Sequence, residues 1–278
     1  MNSPHPRLVD AQWLSDHLDD PTIRVVDGTV HLTFDENGAH TESGRATYRR
    51  AHVPGATFVD QLTDLSVHDG EAPFETAPPE QVARVLGEAG IGDSHTVVVY
   101  DHVNGIWATR LWWHLEYEGH PDVVVLDGGL RAWQESGLAV ESGDAIYPPT
   151  TFTPSRRPER VTATPVVEAA TRDSSVLLIN ALDRDSFATG RIPGSVNVPF
   201  AELVDDRGRL RDLDELRPLF ESVGALDPSV APVAYCGGGI AATAVAFALK
   251  GLGRDDVAVY DGSMNAWTAE GDRPLERD

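Results

Sequence analysis

The stretch YCGGGIAAT, residues 235–243, joins a short apolar run to an Ala-rich one, with Cys236 and three consecutive glycines between them. Val233 to Tyr235 have strand character, and residues 241–249 form an apolar run of helical length, so the cysteine is expected at a strand-to-helix turn. Cys236 is the only cysteine in 278 residues. A lone cysteine is often no more than a small buried hydrophobe. Three glycines weigh against that bland role, because they weaken any strand or helix they enter and let several backbone N–H groups converge on one point. With the positive end of the following helix, such a turn makes a cradle for a thiolate or for an anion carried on it.

Working outward, the elements around this turn occur twice. HVPGATFVD (residues 52–60) is echoed by RIPGSVNVPF (191–200), and PPEQVARVLGEAGI (78–91) by DELRPLFESVGAL (214–226). The apolar run at residues 97–100 matches the one at 233–235, and LDGGLRAW (126–133) matches YDGSMNAW (260–267). Order and spacing together indicate a duplication. Strands alternating with helices then predict an α/β fold of two domains with largely parallel sheets. A change to Pro, Thr and Arg at residues 142–165 reads as the linker, which puts the domains at residues 1–141 and 166–278. Residues 28–50 are polar and read as loop with one helical turn. The comparison of halves sets Asp101 where the second half has Cys236, in a loop (DHVNGIWAT, residues 101–109) one residue longer and without the triple glycine. Chemistry at the thiol therefore belongs to the C-terminal domain, with the first domain an inactive partner that shapes and covers the site.

Composition narrows the partners. A formal charge of −22 disfavours nucleic-acid backbones and anionic membranes. No apolar run reaches the length of a membrane span, and the N-terminus lacks a signal-peptide pattern, so a cytoplasmic location is expected. A small anionic substrate needs a locally positive pocket against that background, and apart from Lys250 every basic side chain is arginine.

Several chemistries are poorly served. A cysteine hydrolase needs a histidine base, and all ten histidines lie in the first 120 residues. His68, His102 or His114 would have to reach across an interface. One cysteine gives no thiolate cluster, so neither zinc nor any other cofactor is expected. A phosphatase loop requires an arginine soon after the cysteine, yet GGGIAATAVAF follows Cys236. GGG also lacks the spacing of a dinucleotide-binding turn.

The paired VPG and IPG turns, the DGG and DGS turns before tryptophan, and the cysteine loop after an apolar strand resemble the rhodanese superfamily, in its tandem-domain thiosulfate and 3-mercaptopyruvate sulfurtransferases. The resemblance spans almost the whole chain. It implies two rhodanese-like domains, a persulfide on Cys236 loaded from a small sulfur-donor anion, and discharge to an external thiol or cyanide. With no second cysteine, the acceptor must come from outside. Backbone amides of Gly237, Gly238, Gly239, Ile240, Ala241 and Ala242 would hold the persulfide anion. The uncharged loop is nearer the mercaptopyruvate pattern than the thiosulfate one, although Gly238 stands in place of a serine and Ala241 in place of a threonine.

A further departure lies at INALDRDSF (residues 179–187), where Leu182 replaces the family's anion-binding arginine. Arg184 and Arg191 are the candidates to supply that charge by another route. Arg110, where mercaptopyruvate-type relatives also carry arginine, would help position the interface; Asp64 and His68 lie in a stretch from which some relatives draw an acid and a base. The competing expectation is a non-catalytic or weakly active sulfur carrier or binding protein that has lost donor recognition. A monomer is expected to suffice, since one domain covers the other.

Overall fold

The apolar runs become strands that assemble twice into the same five-stranded sheet. A computed structural model describes residues 7–35, 38–67 and 72–278. The first half begins with β1 (Leu8–Val9), α1 (Ala11–His17), β2 (Ile23–Asp27), β3 (Val30–Asp35), β4 (Gly38–Ser43) and α2 (Arg45–Arg50). It continues with β5 (Thr57–Phe58), α3 (Pro79–Glu88), β6 (Thr96–Tyr100), α4 (Ile106–Tyr117), β7 (Val123–Leu126) and α5 (Gly129–Glu135). The second half runs β8 (Val161–Thr162), α6 (Thr164–Ala170), β9 (Val176–Asn180), α7 (Arg184–Thr189) and β10 (Val196–Asn197). It ends with α8 (Leu213–Ser222), β11 (Ala231–Tyr235), α9 (Ile240–Gly251), β12 (Ala258–Tyr260) and α10 (Ser263–Ala269).

Strand order is β1-β7-β6-β2-β5 in the first sheet and β8-β12-β11-β9-β10 in the second, every pairing parallel. The two orders superpose element for element, which is the duplication in three dimensions. Parallel strands covered on both faces need continuous apolar runs, and Val97, Val98 and Val99 of β6 are wholly buried. The VPG and IPG motifs have a structural purpose. The Val53 N–H donates to the Tyr100 hydroxyl at 3.2 Å and the Ile192 N–H to the Tyr235 hydroxyl at 3.1 Å, so each turn is pinned to the end of its central strand.

The halves meet along α4 and α9. Thr109 Oγ1 and its counterpart Thr243 Oγ1 lie 3.4 Å apart, and Trp112 packs edge-on against Phe247 with ring centroids at 4.9 Å. Buried apolar side chains run continuously from one half to the other across this seam.

Two expectations change. Residues 28–50 are not mainly loop: β3 and β4 pair antiparallel from Val30↔Ser43 to Asp35↔Gly38, outside both large sheets. The alternation Val30, Leu32, Phe34 is a strand signal that the polar composition obscured. The second unit also starts before residue 166. Val161 and Thr162 form β8 and pair with β12, and α6 begins at Thr164. The preceding strap is pinned to the first half rather than slack: Thr150 N–H donates to Gly87 O at 3.0 Å, and Arg156 pairs with buried Glu118 at 2.7 Å.

Candidate active site

Cys236 follows β11, at the carboxyl end of a central parallel strand, where open α/β sheets present their ligand crevices. It is 2% exposed. The start of α10 grips its backbone: the Cys236 N–H donates to Ser263 Oγ at 3.0 Å, and Cys236 O and Gly237 O accept from the Met264 and Asn265 amides at 3.0 and 2.9 Å. Ser263 has φ +49, a left-handed conformation that an L-residue adopts only when its surroundings impose it. Its hydroxyl donates onward to Tyr260 O at 2.8 Å. Ser263 therefore positions the cysteine loop, a role that the DGS motif carries in the sequence without announcing.

The duplicated loop has a carboxylate at the place of the thiol. In the first half the Asp101 carboxylate stands at the cysteine's position. Its Oδ1 accepts the N–H groups of Val103 and Gly105 at 2.8 and 3.0 Å, and its Oδ2 those of Trp107 and Ala108, both at 2.9 Å. Four amides converge on one carboxyl group. Gly105 and Gly239 are matching left-handed caps, with φ +85 and +80, so the counterparts of Gly105, Trp107 and Ala108 are Gly239, Ala241 and Ala242.

Two of the glycines are demanded by close approach. A Cβ on Gly239 would lie 2.5 Å from Asp261 O, besides the strain of its positive φ. A Cβ on Gly238 would lie 2.9 Å from Asn265 Nδ2 and 3.1 Å from the Phe74 ring. The space of the family's loop serine is thus filled by Phe74 and Asn265.

Cys236 opens on a cavity of about 500 Å³, with Gly237, Gly238, Ile240 and Ala241 beside it in the lining. The opposite wall comes from the first half: Val103 and Asn104 of the Asp101 loop, Ile106 and Trp107 at the start of α4, Phe74 of the segment before α3, and Leu32 and Thr41 of the hairpin. Leu182 and Asn265 complete it. Among the described residues this lining holds no charged side chain. The hairpin, Phe74 and Asn265 were not singled out from the sequence, because only the fold brings them to the thiol.

The arginines go elsewhere. Arg110 is buried, ion-paired to Asp261 at 2.6 Å, donating to Gly239 O at 3.1 Å and Phe74 O at 2.7 Å, and stacked over Trp113. It braces the cysteine loop from behind and is absent from the cavity wall. Arg184 is bound to Glu202 at 2.6 Å on the surface, and Arg191 to Glu276 and Asp278 at 2.6 and 2.8 Å. Neither lines the cavity, so the charge missing at Leu182 is not replaced by either route.

His102 turns to buried Asp27 at 2.7 Å within its own half, and His114 is fully buried, held neutral well below the usual imidazole range by desolvation and then by Arg110 and Arg156. Asp64 bonds to the Asp60 amide at 3.0 Å, and His68 lies outside the described residues.

Pseudo-symmetry leaves one carboxylate without the arginine that its counterpart has. Asp127 matches Asp261, but the α9 position equivalent to Arg110 is Ala244. Burial pushes Asp127 up to about 6, against which the Leu210 N–H at 3.0 Å and Arg209 act. An unfolded aspartate titrates near 3.9. The folded form therefore loses stability as pH rises from about 4 to about 6, and the charged carboxylate is a cost above that. Asp127→Asn is expected to stabilise the protein at pH 7 by about 1–3 kcal/mol and to have no such effect at pH 4, as read by urea melts at both pH values.

The rhodanese-like domain family matches residues 10–136 and again 164–270. The chain is 33% identical over 281 residues to the 3-mercaptopyruvate sulfurtransferase of Escherichia coli K12, covering 97% of each chain. It is 30% identical to the human 3-mercaptopyruvate sulfurtransferase, covering 94% of this chain and 91% of that one. A crystal structure of an Escherichia coli 3-mercaptopyruvate sulfotransferase, described as having the rhodanese fold, superposes with a TM-score of 0.85 at 32% identity over 92% of this chain and 98% of that one.

Proposed function

The chain belongs to the rhodanese family, and from that premise we propose that Cys236 is the nucleophile through which it transfers sulfur. The protein is a sulfurtransferase of the thiosulfate/3-mercaptopyruvate type. One observation carries the assignment of the site: the sole thiol of the chain stands at the floor of an interdomain cavity, in a turn whose duplicate wraps a carboxylate in four amides.

The Cys236 thiolate attacks the sulfur of a donor such as 3-mercaptopyruvate. The sulfur–carbon bond breaks, the enolate of pyruvate leaves and takes up a proton, and the sulfur stays on Cys236 as a persulfide. The amides from Gly239 to Ala242 and the positive end of α9 stabilise its negative charge. An external thiolate or cyanide then takes the terminal sulfur and restores the cysteine thiolate. The first half performs no transfer, because Asp101 offers no thiol. It supplies the far wall, so one chain is a complete unit. A free, unpaired thiol suits a reducing compartment such as the cytoplasm.

Charge favours 3-mercaptopyruvate over thiosulfate. A dianion in a neutral lining keeps its full desolvation cost, whereas mercaptopyruvate brings a single carboxylate. Both donors are to be assayed with cyanide and with thiols, alongside intact mass. Turnover with 3-mercaptopyruvate exceeding that with thiosulfate, and a mass gain of one sulfur atom, is the expected result. A second reading, a sulfur carrier without turnover, draws on Leu182 and the neutral lining; mass gain without discharge to any acceptor would establish it. Absence of both signals removes the sulfur-transfer assignment of Cys236.

A further inference from the structure

The cavity is larger and more apolar than a small anionic donor uses. Its volume of about 500 Å³ lies within the range of pockets that enclose drug-sized organic molecules. Aromatic and branched side chains dominate it: Phe74, Trp107, Leu182, Ile106 and Ile240. Leu32 and Val103, 44% and 46% exposed, stand among its lining residues as two of the large hydrophobics most open to solvent. Phe74 is held against the site in a left-handed conformation, φ +68, with its carbonyl bonded to Arg110 and its ring edge-on to Trp107 at 5.9 Å. A strained aromatic braced beside a reactive atom is a feature the fold sustains at a cost, and such features cluster at ligand clamps. Among the described residues the polar side chains of the wall are neutral: Thr41, Asn104 and Asn265.

Resting on the persulfide chemistry above, we infer that the co-substrate which discharges Cys236 is a thiol with an apolar, aromatic or branched body and no charge close to its sulfur. The transfer balances without an oxidant or reductant. The acceptor thiolate attacks the outer sulfur of the Cys236 persulfide, the bond between the two sulfurs breaks, the acceptor leaves as its own persulfide, and the electron pair returns to Cys236 as thiolate. The body of the acceptor packs on Phe74, Trp107 and Leu182 while its sulfur meets the amide cradle. The reverse step would load the enzyme from an apolar persulfide by the same contacts.

The experiment loads the full-length protein with inorganic polysulfide, verifies one added sulfur by intact mass, and follows its single-turnover loss to phenylmethanethiol, 2-mercaptoethanol and 3-mercaptopropionate. Each rate is divided by that of the same thiol with a small-molecule persulfide, which removes differences in nucleophilicity. Phenylmethanethiol is expected to be faster than 2-mercaptoethanol by between about tenfold and a hundredfold, the value of burying one apolar side group. The carboxylate thiol is expected to be the slowest. Leu182→Arg should reverse that last order, raising 3-mercaptopropionate above phenylmethanethiol. Leu32→Ser, on the exposed hairpin, should reduce the apolar preference severalfold and keeps the test open if Leu182→Arg does not fold. Equal normalised rates for the three thiols, or a preference for the carboxylate, would overturn the inference and leave sulfur transfer intact. Failure of the sulfur to load, or of every thiol to remove it, would instead strike the persulfide assignment itself.

Discussion

Cys236→Ser is expected to abolish sulfur transfer from every donor and to eliminate the added sulfur atom in intact mass, while the protein stays folded. A serine hydroxyl is not ionised near neutral pH and forms no persulfide, so nothing remains to carry the transferred sulfur. No other thiol exists in the chain to take over. The substitution is nearly isosteric at a side chain 2% exposed, and the bonds from Ser263, Met264 and Asn265 that hold this turn involve only backbone atoms of residues 236 and 237. The stability change should therefore stay within about 1 kcal/mol, read as a shift of a few degrees in thermal unfolding. Residual turnover in the serine variant would place the chemistry elsewhere and remove the covalent mechanism.

Arg110→Met is expected to be the most destabilising single change at the seam between the halves. The guanidinium is 1% exposed and satisfies three groups at once: the Asp261 carboxylate at 2.6 Å, Gly239 O and Phe74 O. Methionine fills much of the volume over Trp113 but leaves a buried carboxylate without its counter-ion, a loss of about 3–5 kcal/mol. Adding Asp261→Asn should recover part of it, because the orphaned charge is gone. Arg110→Lys keeps the charge without the planar fork, and should fall between the two. Activity is expected to drop further than the folded fraction does, since Gly239 caps the helix behind the thiol and Phe74 walls the cavity. Urea melts followed by far-UV circular dichroism, with rates normalised to folded protein, separate the two effects. A stability equal to wild type in Arg110→Met would show that the brace is dispensable.

Much of the plan was written in local patterns. Apolar runs such as residues 97–100 and 233–235 are short and, in the first case, β-branched, which favours a strand covered on both faces over a buried helix. Repetition of those runs with VPG, IPG and DG turns between them specified two copies of one topology. The hairpin at Val30–Asp35 and Gly38–Ser43 was hidden by its polar composition, since a two-stranded ribbon outside the sheets needs few apolar residues. Arginine was the least legible residue. Arg110, Arg184 and Arg191 look alike in a sequence, and each forms its ion pair with whichever carboxylate the fold brings near: Asp261, Glu202, and Glu276 with Asp278.

By itself the sequence determined the α/β class, the duplication, and Cys236 as the one thiol in a glycine turn, because strand and turn preferences act over a few residues and a single cysteine leaves no choice of thiol. Only the tertiary structure decided what faces that thiol. The cavity wall joins Leu32, Phe74 and Trp107 of one half to Leu182 and Asn265 of the other, and the expected cations turn away from it. Ion pairing and wall packing act through space between residues far apart in the chain, so neither could be read from the order of the residues.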